Sequence, residues 1–207
     1  MNRDIVDMVT GRVMEKLLAG RLIPVEASAR HVHLSREHID ELFGRGCELT
    51  RKKGLSQPGQ YQCGERIRLI GPKGVISDVA VLGPPRRKTQ VELTITDAIS
   101  LGIRPPVRDS GELEKSGTLF IASPKAVIKA EESVIIAKRH IHMTEKDAEH
   151  FGVRDGQTVR VRIFGQRPLV FEDVLVRVND NYSLAMHVDF DEANAAGCTE
   201  GTVCTIC

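Results

Sequence analysis

Polar and apolar residues alternate along two stretches of similar make-up, Gly64-Glu65-Arg66-Ile67-Arg68-Leu69-Ile70-Gly71 and Gly156-Gln157-Thr158-Val159-Arg160-Val161-Arg162-Ile163. A period of two predicts half-buried strands. The runs Asp78-Val79-Ala80-Val81 and Asp173-Val174-Leu175-Val176 follow at similar offsets and read as further strands. Upstream of each set lies a short helical pattern, residues 35–44 and 144–152, opened by an N-cap type (Ser35, Thr144) and closed at Phe-Gly, with the glycine as C-cap. Leu34 with Ile39 and Met143 with Ala148 are spaced as hydrophobic staples across the helix starts. Ahead of everything, Ile5, Val6, Val9, Val13 and Leu17 gather on one face at helical spacing, and Gly20 suits a C-cap. That amphipathic helix either packs on the protein or a second subunit, or serves as a docking peptide laid in a partner's groove.

The pattern therefore occurs twice. Each copy begins with an Arg-His-aliphatic-His-aliphatic-hydroxyl stretch, Arg30-His31-Val32-His33-Leu34-Ser35 and Arg139-His140-Ile141-His142-Met143-Thr144. A β-branched residue between the histidines favours extended backbone, on which residues i and i+2 share a face. Each copy ends on a related segment, Thr96-Asp97-Ala98 with Gly102 and Asp191-Glu192-Ala193 with Gly197. Aligning those ends sets Glu92 opposite His187, each four residues before the aligned position. Two equivalent ligand sets result, His31, His33, Glu92 and His140, His142, His187. Three protein ligands with an open position is the pattern of a catalytic metal site rather than a structural one.

A chain of 207 residues has room for one large or two small cored domains, and the repeat favours two. The divisions expected are residues 1–20 as the N-terminal helix, 21–103 as the first repeat, the Pro- and Gly-rich 104–118 as a linker, and 119–207 as the second repeat. With 29 basic against 28 acidic residues, net charge +1 and no tryptophan, neither charge nor stacking argues for nucleic acid. No apolar run approaches the roughly 18 residues that span a bilayer, so a soluble intracellular protein is expected. Five cysteines, an odd number, fit reduced thiols better than a disulfide framework. Pro84-Pro85-Arg86-Arg87-Lys88 is a basic turn just before an expected strand over 91–95, where a guanidinium would hold an anion near the first ligand set. His38 and His150 fall at different places in the two short helices and read as surface residues.

Together these stretches, with Gln57-Pro58-Gly59-Gln60-Tyr61, Gly71-Pro72-Lys73-Gly74, Gln90-Val91-Glu92 and Met186-His187-Val188-Asp189, resemble the PduL-type phosphate acyltransferases, the phosphate propanoyltransferase family, from about Ile23 to about Gly197. The resemblance implies a mainly β fold with short helices, two tandem, internally duplicated β-barrel domains, and two divalent metal ions, usually zinc, where the halves meet. It implies the reaction of an acyl-CoA (propanoyl-CoA or acetyl-CoA) with phosphate to give acyl phosphate and CoA. The six residues above would be the metal ligands, Arg86 the phosphate-binding catalytic residue, and Ser28, Ala29, Arg30, Lys73 and Asn194 the CoA contacts. One departure from the pattern is Ala80, where the resemblance implies that relatives can carry a basic residue. Members that serve bacterial microcompartments carry an N-terminal extension like residues 1–20, which implies shell or cargo proteins as partners and the compartment lumen as location, with the cytoplasm otherwise. Self-association into a homo-oligomer stays open. Two rival classes remain, a two-metal hydrolase and a non-enzymatic β-barrel binding module stabilised by metal.

Overall fold

The computed structural model describes residues 20–207, so the helix expected over 1–20 lies outside the described residues. The chain divides into two compact units, one comprising Ser28–Lys138 with Asp189–Glu192, the other residues 20–27 with Arg139–Val188 and Ala193–Cys207. The strands are β1 (Ile23–Ser28), β2 (His31–Ser35), β3 (Arg51–Gly54), β4 (Tyr61–Ile70), β5 (Val75–Arg86), β6 (Gln90–Glu92), β7 (Val107–Arg108), β8 (Gly117–Ala122), β9 (Val127–Ala137), β10 (His140–Met143), β11 (Thr158–Ile163), β12 (Leu169–Val178), β13 (Ala185–Asp189) and β14 (Val203–Ile206). The described helices are short: α1 (Arg36–Phe43), α2 (Ile95–Leu101), α3 (Glu145–Phe151) and α4 (Phe190–Ala196).

Each unit holds a closed barrel. In the first, β2 lies between β5 and β6, β6 pairs β9, β9 pairs β8, β8 pairs β4, and β4 returns to β5. The second runs β1-β13-β10-β12-β11-β14 and closes on itself. The two rings repeat one wiring. β2 is parallel to β5 and antiparallel to β6, as β10 is parallel to β12 and antiparallel to β13. β4 then pairs β8 as β11 pairs β14.

In this correspondence β9 occupies in the first ring the place that β1 occupies in the second. Yet β1 directly precedes β2 in the sequence, and β9 directly precedes β10. Each half of the sequence thus lends its opening strand to the other half's barrel, with Ile23 opposite Cys204 and Val134 opposite Val91. The barrels therefore run across the division placed at 104–118, and that stretch itself contributes β7, which pairs β9.

Local sequence explains the elements. Ser35 accepts a hydrogen bond from the His38 amide and starts α1. Thr144 with Asp147, and Thr94 with Asp97, form reciprocal capping boxes at α3 and α2. The Thr94 box also ends β6 at Glu92, so the strand expected to reach residue 95 gives way to α2 there. Val32 and Leu34 of β2 enter the core of the first barrel, and Ile141 and Met143 of β10 enter that of the second, which turns the alternate residues, the histidines, to the other face.

A second repeated contact holds the hairpins onto the helix ends. The Lys73 amide donates to the Leu101 carbonyl at the end of α2, and the Arg167 amide donates to the Ala196 carbonyl at the end of α4, both at 3.0 Å. The approach needs glycine beside it. A Cβ on Gly71 would stand 2.2 Å from the Leu101 oxygen, and a Cβ on Gly165 would stand 2.2 Å from the Ala196 oxygen. Gly71→Ala and Gly165→Ala are each expected to cost about 1–3 kcal/mol, since the obstacle is backbone and a rotamer change gives no relief. Denaturant unfolding of the two variants beside the wild type checks this, and an unchanged midpoint in either would contradict it.

Candidate metal and anion site

The first ligand set is assembled by the β2–β6 ladder, which puts His31 directly opposite Glu92 and His33 opposite Gln90. The rings of His31 and His33 lie edge to face, 5.1 Å between centroids. His31 Nε2 is 3.5 Å from the Glu92 carboxylate. Its Nδ1 lies 2.8 Å from the Ala29 carbonyl, a hydrogen bond that assigns the proton to Nδ1 and aims the Nε2 lone pair at Glu92. The second set is assembled by β10 and β13, with His140 opposite His187 and His142 opposite Ala185. Ring centroids there are 4.6 Å apart for His140 and His142, 5.2 Å for His140 and His187, and 4.9 Å for His142 and His187. Tyr182 covers His142 with its ring centroid 4.1 Å away. Glu26, carried on the exchanged strand β1, comes within 3.7 Å of His187 Nδ1.

Both groups could hold a metal. In each, one donor atom per residue can be chosen so that all lie within 4.8 Å of one another. Each also contains a buried ring nitrogen with no hydrogen-bond partner, His33 Nδ1 and His142 Nδ1. An orphaned buried polar atom is costly, and coordination to a cation would remove that cost. The electrostatics point the same way. Burial opposes a charge on His31, but the neighbouring Glu92 carboxylate outweighs it and raises the imidazole above its usual range. Burial likewise works against the Glu92 anion, yet His31, His33 and Arg86 together hold its carboxyl well below the usual carboxylate range. This position therefore favours a positive charge beside Glu92. Burial together with its two histidine neighbours and Arg177 pushes His142 down to about 2, so it stays a neutral ligand type. His33 is also held well below its usual range, by burial and then by His31 and Arg86.

Arg86 ends β5, with Ser35 opposite it, and donates from Nη1 to Ser110 Oγ at 3.1 Å. Ser110 donates onward to Glu92 Oε1 at 3.3 Å. Gln90 Nε2 reaches Ser110 Oγ at 2.8 Å and Glu92 Oε1 at 2.5 Å, while its Oε1 accepts from the Gly111 amide at 2.8 Å. A chain of hydrogen bonds thus ties the Arg86 guanidinium to the Glu92 carboxylate. Sequence reasoning missed Ser110, placed in the linker, and gave Gln90 no role beyond its place in the Gln90-Val91-Glu92 stretch. His38, read as a surface residue, also has a structural role. Its Nδ1 meets Thr89 Oγ1 at 2.7 Å, and Thr89 accepts from the Ser35 amide at 2.9 Å, which braces the end of β2. His150 is exposed and bonds the Gly20 carbonyl.

Of the expected CoA contacts, Ser28 closes β1 and Ala29 is the carbonyl partner of His31. Arg30 is engaged by Asp97 through contacts of 2.9 and 3.0 Å. Lys73 is exposed in the β4–β5 turn, its stem against Gly102, and Asn194 is exposed on α4. Among the described residues no helix is long and apolar enough to cross a membrane.

A family model described as phosphate propanoyltransferase matches residues 24–199. The phosphate propanoyltransferase of Alkaliphilus metalliredigens is 54% identical over 200 residues, covering 97% of this chain and 94% of that protein. That of Clostridioides difficile is 50% identical over 203 residues, 98% and 95% of the two chains. That of Thermotoga maritima is 55% identical over 175 residues, 84% and 83% of the two chains.

The thiols lie apart from this chemistry. Burial pushes Cys63 up to about 11 and Cys204 up to about 12, and both side chains are fully buried. At pH 8 a thiol-reactive dye should label exposed Cys207 quickly in the native protein and leave Cys63 and Cys204 unlabelled until denaturant is added. Peptide mapping of the labelled sites checks this, and native labelling of Cys63 or Cys204 would contradict it.

Proposed function

Because the chain belongs to the phosphate propanoyltransferase family of acyltransferase enzymes, we propose that it transfers the acyl group of propanoyl-CoA or acetyl-CoA to inorganic phosphate. The observation that carries this reading is the Arg86-Ser110-Glu92 chain, which joins an anion-binding guanidinium to one of the ligand sets. A phosphate oxygen attacks the thioester carbonyl, the C–O bond forms, the C–S bond breaks, and the CoA thiolate leaves and takes up a proton. Arg86 holds phosphate through its planar fork and offsets its charge, converting a chance encounter into an oriented attack. Ser110 and Gln90 fix the Arg86 and Glu92 side chains by their shared hydrogen bonds, so the two act from set positions. His31, His33 and Glu92 would hold one divalent ion, with zinc fitting the donor types, and His140, His142 and His187 a second. A bound divalent ion supplies Lewis-acid polarisation of the carbonyl and stabilises a thiolate. Ser28, Ala29, Arg30, Lys73 and Asn194 are the proposed CoA contacts. Of these, Arg30 has to share its guanidinium with Asp97. No side-chain nucleophile is required.

Residues 1–20 are proposed to dock on microcompartment shell or cargo proteins through their apolar stripe, which the sequence supports by the spacing of Ile5, Val9, Val13 and Leu17.

The test is thiol release from propanoyl-CoA with and without phosphate, in metal-replete and chelated protein. Release is expected to need both. Arg86→Ala should lower kcat/KM for phosphate by about 10²–10³, and Arg86→Lys should restore little of it, because an ammonium lacks the fork. Replacing each cysteine by serine should leave turnover largely intact, and deleting residues 1–20 should spare turnover while removing co-purification with shells. Phosphate-independent release would instead favour a hydrolase. No release from metal-loaded protein would leave a binding module, and loss of turnover in a folded, metal-loaded cysteine variant would contradict direct attack.

A further inference from the structure

Beside Arg86 the first unit contains a cavity of about 970 Å³. We infer that this cavity is an oxyanion vestibule that collects inorganic phosphate and passes it to Arg86, an inference that rests on the acyltransferase reading above. Its wall carries Arg86, Arg87, Lys88, Arg108 and Lys115, against the two carboxylates of Glu112 and Glu114. Glu114 is already engaged, 3.7 Å from Lys115. Arg87, Lys88 and Arg108 have no carboxylate within ion-pair distance among the described residues, and all three are exposed. Like charges left uncompensated around one concavity repel each other, a cost that a bound anion removes.

The arrangement is graded from outside to inside. Arg87 and Lys88 are exposed, Arg86 is half-buried, and Gln90 is buried and bonded to Glu92. An anion moving along this wall meets solvated cations first and ends at the one guanidinium tied to the ligand set. The lining also indicates which anion. It contains no aromatic residue, and Leu113 is its one large apolar side chain, so it offers an adenine neither an aromatic face nor a broad apolar surface. The volume far exceeds one phosphate, which suits passage of hydrated ions rather than a tight cage. The mobile ends of Lys88 and Arg87 act through the local potential, which falls off within a Debye length of about 8–10 Å at physiological salt.

The test compares wild type with the double variant Arg87→Gln, Lys88→Gln. KM for phosphate is expected to rise about tenfold, with KM for the thioester within twofold and with a weaker dependence of the phosphate KM on added NaCl. Direct binding is read independently of turnover by broadening of the ³¹P resonance of inorganic phosphate on titration with protein, which should weaken in the variant. Unchanged phosphate KM and unchanged broadening would overturn the vestibule. A rise confined to the thioester KM would also overturn it, by assigning the cavity to the phosphates of CoA. If the wild type releases no thiol in response to phosphate, the acyltransferase reading fails, and the ³¹P comparison still decides whether these cations gather phosphate.

Discussion

The structure depends on one constraint, the register in which a His-x-His strand pairs with the short strand that follows its barrel's long hairpin. β2 against β6 sets His31 across from Glu92, and β10 against β13 sets His140 across from His187. A slip of one residue would turn every ligand to the opposite face and drive Val32, Leu34, Ile141 and Met143 out of the cores they fill. Core packing and ligand geometry are therefore the same constraint seen from two sides of one strand. The parallel neighbours β5 and β12 and the exchanged strands β9 and β1 close the barrels around it.

The two barrels share this ladder and differ in its chemistry. The position opposite His33 is Gln90, which bonds Glu92 and Ser110, whereas the position opposite His142 is Ala185. The first set thus combines a carboxylate with a polar network leading to Arg86. The second is an all-histidine cluster covered by the Tyr182 ring. The first centre is therefore one of mixed charge, a carboxylate joined through Ser110 to a guanidinium. An all-imidazole cluster, in which burial and the neighbouring His140, His187 and Arg177 keep His142 uncharged, suits plain coordination. One backbone plan therefore carries two electrostatically distinct centres.

Much of this was legible in the sequence because it is local or repeated. Two-residue alternation marks strands, Ser35 and Thr144 mark helix starts, and aligning the halves pairs Glu92 with His187 without knowledge of their contacts. The strand exchange was not legible: neither β1 nor β9 was marked as a strand in the sequence, and local alternation does not say which edge a strand joins. Ser110 was hidden for a related reason. Its surroundings, rich in Pro and Gly, have the composition of a linker, and only the pairing of β7 with β9 beside it brings the hydroxyl to Arg86 and Glu92. The basic turn 86–88 was legible in the sequence, whereas residues 108–115, which line the same cavity, carried no such signal.

The central claim is that the two ligand sets are independent metal centres made by the same ladder, and metal content per chain tests it most directly. Elemental analysis of purified wild type should give one divalent ion per set. His33→Ala and His142→Ala should each remove only the ion of their own set, and the double variant should be metal-free while keeping the wild-type far-ultraviolet circular dichroism. Metal content unaffected by either substitution, with the fold intact, would contradict the account.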